Sequence, residues 1–210
     1  MPFFKQIQTE FGWIGTWKLE ENPEELLTQI QLPTEDDLRF AAMRSEKRKV
    51  EFLAARMLLK MAFGEIPEIE YNGFGKPHLK SSNKKISISH SADFACVFVS
   101  NNRIGIDIER ADRNIDKVAD RFLHAIEKTT ISVSEDQQLA KVAYWSAKEA
   151  IFKCADEHGI HFNSQIRIDD FVPENGRLFK GNLIQQNRNF SYKMYFHFLE
   201  NNVLVYAVEI

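Results

Sequence analysis

Residues 103–109, Arg-Ile-Gly-Ile-Asp-Ile-Glu, set two carboxylates two positions apart in a run where isoleucine recurs every second residue. That is the period of a strand buried on one face. Asp107 and Glu109 therefore point to the same side, with Cα atoms about 6.6 Å apart at strand rise. Side by side they repel, and they resist ionising together unless a cation sits between them. An all-oxygen pair of this kind suits Mg²⁺, which takes a carboxylate or two, waters and substrate phosphates. On the strand alone, a solvated acidic edge explains the same residues. A second stretch changes the balance. In Trp145 to Lys153, Glu149 and Lys153 are four apart and share a helix face, with Trp145 one turn back on the same side. Taken singly, such a Glu-Lys pair is a surface ion pair worth a few tenths of a kcal/mol.

Other stretches could handle an anion. Arg44, Lys47, Arg48 and Lys49 crowd the start of a helix expected over Ser45 to Phe63, and Arg56 and Lys60 follow. Cations there oppose the macrodipole, so either a phosphate-rich ligand wants them or they form a solvated basic face. Tyr71 to His78 is a turn with two glycines, Lys76 as a point charge and the fixed Pro77. Ile86 to Ser91 alternates like a strand. A Ser-His nucleophile fails there because neighbouring strand residues face opposite ways, which leaves His90 as a donor to an anion or as a structural histidine.

The elements that must position these groups follow from composition and pattern. The chain has 210 residues, 44% hydrophobic with 17 Phe, enough for one large domain or two small ones. A formal charge of −3 gives no basic field for nucleic acid, so any anion site is local. Cys96 and Cys154 lack metal or disulfide spacing and read as buried thiols of a reducing compartment. The N-terminal Met-Pro-Phe-Phe-Lys lacks a secretory pattern and no run reaches membrane-spanning length, so the expectation is a cytoplasmic protein with no membrane partner. Strands are expected within residues 3–19, then a short helix capped at Asn22 and a second capped by Thr34. After the Ser45–Phe63 helix, three antiparallel strands are expected in a meander, Ile86–Ser91, Phe94–Ser100 and the Asp107 strand. A helix is expected over Asn114 to Glu127, then a polar segment from Thr129 to Ser134. The next helix runs to about Asp156 from a Ser134-Gln137 capping box, and strands fill the rest. Helix-then-meander recurs, which splits the chain near residue 102.

Together these pieces resemble a known family. Gly105-Ile-Asp107-Ile-Glu109, followed about forty residues later by Trp145-Ser-Ala-Lys148-Glu149-Ala-Ile-Phe-Lys153, looks like the signature pair of the Sfp-type 4′-phosphopantetheinyl transferases. Gly75-Lys76-Pro77, Ser87-Ile-Ser89-His90-Ser91, Arg121-Phe122 with Glu127, and the basic helix with Lys47, Arg48 and Arg56 agree, in family order from about residue 44 to 153. The resemblance implies an α+β fold built as a pseudo-dimer in one chain. Its halves would be 1–102 and 103–210, each of antiparallel sheet packed with helices, with the active site at their interface. It implies a monomeric, Mg²⁺-dependent enzyme that moves the phosphopantetheine arm of coenzyme A to a serine of an apo acyl or peptidyl carrier protein, releasing adenosine 3′,5′-bisphosphate. Asp107, Glu109 and Glu149 are then the metal ligands, Glu149 the base on the carrier serine, and Lys153 the balance for the pyrophosphate. Lys47, Arg48, Lys76, Pro77, Ser89 and His90 become the positions that hold coenzyme A.

One departure stands out: His124 occupies a place where the family more often has a small or polar residue. The segment from Asn114 through the polar stretch is the expected carrier-docking region, with Lys117 and Arg121 to steer an acidic carrier. Two rival readings use the same residues. A Mg²⁺-dependent phosphoanhydride hydrolase would consume coenzyme A without a carrier. A non-catalytic carrier-binding module would have no reason to keep Asp107, Glu109, Glu149 and Lys153 together.

Overall fold

A computed structural model describes residues 3–73, 75–157, 159–185 and 188–210. Met1, at the N-terminus, and Phe74, inside the glycine turn, lie outside the described residues. The chain divides into two compact units, Met1–Asn101 and Asn102–Ile210. Each contains antiparallel sheet and one long helix, an α+β combination. Among the described residues no helix is long and apolar enough to cross a membrane.

In the first unit, β1 (Phe3–Thr9) and β2 (Gly12–Lys18) form a hairpin whose turn is tied by Thr9 Oγ1, which accepts from the backbone N–H groups of Phe11 and Gly12. α1 (Pro23–Leu27) begins in a reciprocal capping box between Asn22 and Glu25. α2 (Thr34–Ala41) starts one residue earlier than its threonine suggested: Pro33 is the cap residue and Thr34 is already helical. α3 (Glu46–Phe63) is capped by Ser45 and closed by Gly64 at φ +83°, a left-handed conformation that glycine takes without penalty. A small hairpin of β3 (Ile69–Tyr71) and β4 (Pro77–Leu79) frames the glycine turn. β5 (Lys85–His90) and β6 (Phe94–Ser100) complete a sheet of order β1-β2-β6-β5.

The second unit opens with β7 (Ile104–Arg110). Here the expected three-strand meander fails. β5 and β6 do pair, but the other neighbour of β6 is β2, and β7 pairs with the last strand instead. Backbone pairing, not sequence adjacency, decides the sheet. The expected helix over Asn114 to Glu127 is also broken. A 3₁₀ turn at Asp116–Val118 leads into α4 (Ala119–Phe122), Leu123 takes an extended conformation, and α5 (Ala125–Ser132) starts anew. His124 caps α5, its Nδ1 accepting from Ile126 N–H while Glu127 accepts from the His124 N–H. It does the work that a small polar residue does at other helix starts. The polar segment over Thr129 to Ser134 is thus helical as far as Ser132.

α6 (Gln137–Ala155) is capped by Asp136, which accepts from Leu139 N–H, and not by Ser134, whose hydroxyl donates to the Thr130 carbonyl. After α7 (Phe162–Gln165) come β8 (Ile166–Ile168), β9 (Arg177–Gln185), β10 (Arg188–Leu199) and β11 (Asn202–Glu209) in a sheet of order β7-β11-β10-β9-β8. α6 lies on this sheet through Ala140, Ala143, Ala147, Ala150 and Cys154, against Val203, Val205, Ala207 and Met194.

Gly105 makes that packing possible. A Cβ built there would lie 1.9 Å from the Ala150 carbonyl oxygen and 2.7 Å from the Cys154 nitrogen, so helix backbone touches strand backbone. Neither atom can swing aside as a side chain could. Gly105→Ala should destabilise the protein by at least about 2 kcal/mol, read from denaturant unfolding.

Candidate active site

Helix α6 and strand β7 meet through polar contacts as well as apolar ones. Ser146 Oγ donates to Asp107 Oδ2 at 2.7 Å and Lys153 Nζ to Asp107 Oδ1 at 2.7 Å, so both oxygens of this buried carboxylate are engaged. Trp145 Nε1 donates to Glu109 Oε1 at 3.0 Å, and the Arg113 guanidinium pairs with the same oxygen. Consecutive helix residues thus serve two alternate strand residues. A helix advances 100° per residue and a strand alternates, so Trp145 and Ser146 can splay onto carboxylates that share one sheet face. The indole is walled by Phe122, with ring centroids 5.1 Å apart, and by Phe162 at 5.9 Å, while Arg113 lies 5.5 Å over it.

Glu149 joins this cluster. Burial pushes its carboxyl up to about 7, and the negative charges of Asp107 and Glu109 add to that against the pull of Lys153 and Arg113. Glu109 is raised for the same two reasons, burial first and Asp107 second. Three acids therefore crowd one place with two cationic side chains among them. Asp107, Glu109 and Glu149 offer carboxylate oxygens only, the donor type that a hard divalent cation takes. Among the described residues no three His, Cys, Asp or Glu side chains are arranged to hold a metal ion.

In the first unit, Lys47 and His90 are brought onto one buried carboxylate, Glu51: Lys47 Nζ lies 3.6 Å and His90 Nδ1 3.4 Å from its Oε1. Arg48 is exposed on the first turn of α3, where its N–H meets the Ser45 cap. Lys76 closes the glycine turn through its own backbone, donating its N–H to Asn72 Oδ1, and Pro77 pairs with Tyr71 across the small hairpin. Ser89 is buried in β5 opposite Cys96. Sequence reasoning passed over Glu51, although Lys47 and Glu51 stand at i,i+4. It also passed over Ser146, although Ser146, Glu149 and Lys153 stand at i, i+3 and i+7, one helix face. Arg113 had no periodic signal, since it lies in the turn after β7.

A family model described as the 4′-phosphopantetheinyl transferase superfamily matches residues 103–205, the stretch that holds this cluster. 4′-Phosphopantetheinyl transferase AcpT of Salmonella typhimurium is 32% identical over 133 residues, 60% of this chain and 68% of that protein. The chain belongs to the 4′-phosphopantetheinyl transferase superfamily. Enterobactin synthase component D of Salmonella typhi is 32% identical over 129 residues, 59% of this chain and 54% of that protein. The chain thus spans about half the length of that second relative. Within the matched region, the cluster on β7 and α6 brings three acidic and two basic side chains together.

Crowding has a consequence for stability. A carboxyl whose folded pKa lies above its unfolded value binds protons more tightly when folded. Its contribution therefore weakens the fold as pH rises from the unfolded value towards about 7, and the loss is complete above that. Glu149→Gln removes this group from titration. In chelator, the variant should melt above the parent protein, and the gap should widen between about pH 5 and pH 8. Thermal melts at several pH values check this, and a gap that shrinks with pH would show that Glu149 is not held among like charges.

Proposed function

We propose that the protein moves the 4′-phosphopantetheine arm of coenzyme A to a serine hydroxyl of an apo acyl or peptidyl carrier protein, with Mg²⁺, releasing adenosine 3′,5′-bisphosphate. The observation that carries this is the convergence of Asp107, Glu109, Glu149 and Lys153 in a member of this superfamily. The name of the relative AcpT supports the reaction class.

The donor set fits Mg²⁺. All candidate ligands are carboxylate oxygens, their mutual repulsion favours a cation, and Mg²⁺ needs no full protein cage because it keeps waters and substrate oxygens. When bound by Asp107, Glu109 and Glu149, the ion would supply positive charge to the pyrophosphate oxygens. The chain's own side chains do the rest. Glu149 takes the proton from the carrier serine directly or through a water, as a general base. The serine oxygen then bonds to the β-phosphorus as the bond from that phosphorus to the bridging oxygen breaks. The bridging oxygen leaves with adenosine 3′,5′-bisphosphate. Lys153, within one turn of Glu149 on α6, offers its ammonium to the charge that develops on the departing phosphate. Ser146 and Trp145 hold Asp107 and Glu109 in place throughout.

Lys47, Arg48, Lys76 and His90 are assigned to the 3′-phosphate and adenine-ribose end of coenzyme A, with Pro77 and Ser89 as further coenzyme A positions. Glu51 holds Lys47 and His90 together, at 3.6 Å and 3.4 Å from one carboxylate oxygen. The carrier is assigned to the segment around α4, where Lys117 and Arg121 are exposed.

The decisive experiment incubates the protein with coenzyme A and several apo carriers, with and without Mg²⁺, and reads intact carrier mass. A carrier should gain one phosphopantetheinyl unit only when metal is present. Consumption of coenzyme A with no carrier in the mixture would point to a hydrolase and overturn the reading. Reversing charge at Lys117 and Arg121 together should raise the apparent KM for carrier severalfold and leave that for coenzyme A alone. An unchanged carrier KM would remove the docking assignment.

A further inference from the structure

The two lysines of the second motif, Lys148 and Lys153, have different surroundings. Lys153 is partly exposed and reaches Asp107. Lys148 is fully buried, and its ammonium donates to the Phe162 carbonyl at 3.0 Å and the Ile166 carbonyl at 2.9 Å, with Glu127 Oε2 at 2.7 Å. An ammonium has three protons to donate, so this one is saturated. Glu127 has both oxygens engaged as well. Its Oε2 also accepts from His124 N–H at 2.8 Å, and its Oε1 accepts from Ile168 N–H at 3.1 Å. The network joins the start of α5, the middle of α6 and the segment from α7 into β8. Nothing in it is left to meet a substrate phosphate.

Its value lies in what α6 lacks elsewhere. The helix meets its sheet largely through Ala140, Ala143, Ala147, Ala150 and Cys154, with Ile151 against Gly181 of β9 as its larger contact, and it crosses β7 at Gly105. Small side chains allow close approach but offer few knobs to stop the helix rolling about its axis. A roll of one residue's angle, 100°, would carry Glu149 off the face it shares with Ser146 and Lys153. Polar contacts add to the packing of Ile151 and Tyr144 in fixing the roll. On one flank Trp145 and Ser146 hold Glu109 and Asp107, and on the other Lys148 grips Glu127 and two carbonyls.

We propose that Lys148 is a positioning residue: with Glu127 it sets the rotation of α6, so that Glu149 faces Asp107 and Glu109 and the three carboxylates can share one cation. The proposal rests on the metal assignment within the transferase reading, and it takes Lys148 out of the phosphate chemistry that its neighbour Lys153 serves.

The test compares three variants of the full chain: Lys148→Met, Glu127→Gln, and Phe179→Leu as a destabilised control in the same core but on β9. Each is titrated with Mn²⁺ by calorimetry below its melting temperature and assayed for kcat and KM on coenzyme A with Mg²⁺. Lys148→Met should bind Mn²⁺ about tenfold more weakly or worse and lose kcat, with KM for coenzyme A within about twofold of the parent. Phe179→Leu, with comparable loss of melting temperature, should keep both Mn²⁺ affinity and kcat. If Lys148→Met does not fold, Glu127→Gln carries the comparison, since Lys148 then keeps its two carbonyl partners. A lysine or glutamate variant that binds Mn²⁺ like the control overturns the proposal. Should the parent protein bind Mn²⁺ but transfer nothing, the transferase reading falls while the titration still decides the role of Lys148. A parent that binds no Mn²⁺ removes the metal assignment and the proposal with it.

Discussion

Much of the second unit follows from one close approach, the backbone of α6 laid against Gly105 of β7. Two carboxylates on a strand cannot stay buried or half-buried without donors, because an ionised group stripped of water needs hydrogen bonds in return. Those donors must come from the nearest element, and only a helix at contact distance can reach alternate strand residues with consecutive side chains. Glycine at 105 allows the distance, and the alanine face of α6 maintains it. The Ser146 and Trp145 bonds are therefore consequences of backbone packing as much as of side-chain chemistry.

The same approach creates an electrostatic imbalance that the protein keeps. Asp107, Glu109 and Glu149 are drawn together, with Lys153 and Arg113 as partial compensation. A fold selected for stability alone would replace one acid with a neutral residue, since the raised carboxyls mark interactions that weaken the folded state. Contrast the Glu127–Lys148 pair, more deeply buried yet closed, with donors and acceptors matched. Sites that crowd like charges and leave room for a ligand are where chemistry is expected. Closed pairs specify geometry.

Parts of this were legible in the sequence for physical reasons. The side shared by Asp107 and Glu109 follows from strand period, and the face shared by Glu149 and Lys153 from helix period. Both periods are local, and local geometry survives into the fold. Strand pairing is not local: β7 lies beside β11, almost a hundred residues later, and β6 lies beside β2, so adjacency in the chain misassigned the meander. The break at Leu123 was hidden for a related reason. Ile115, Val118, Ala119, Phe122 and Ile126 keep helical spacing across it, and what restarts the helix is a histidine in an uncommon capping role.

Lys148 and Lys153 show where pattern reading stops. Five positions apart on one helix, they differ by 140° in direction, enough to send one ammonium into the core and the other towards Asp107. Residue type assigns both the same chemistry, a strong point charge with three donors. What separates them is the neighbour each direction finds. In one direction two backbone carbonyls and Glu127 saturate the ammonium, and in the other the Asp107 carboxylate leaves it partly exposed. A buried, saturated ammonium has no donor left for a developing charge, whereas a half-exposed one can transfer its hydrogen bond as charge moves. The division between holding the helix and serving the reaction is thus set by surroundings that no motif of side-chain types encodes.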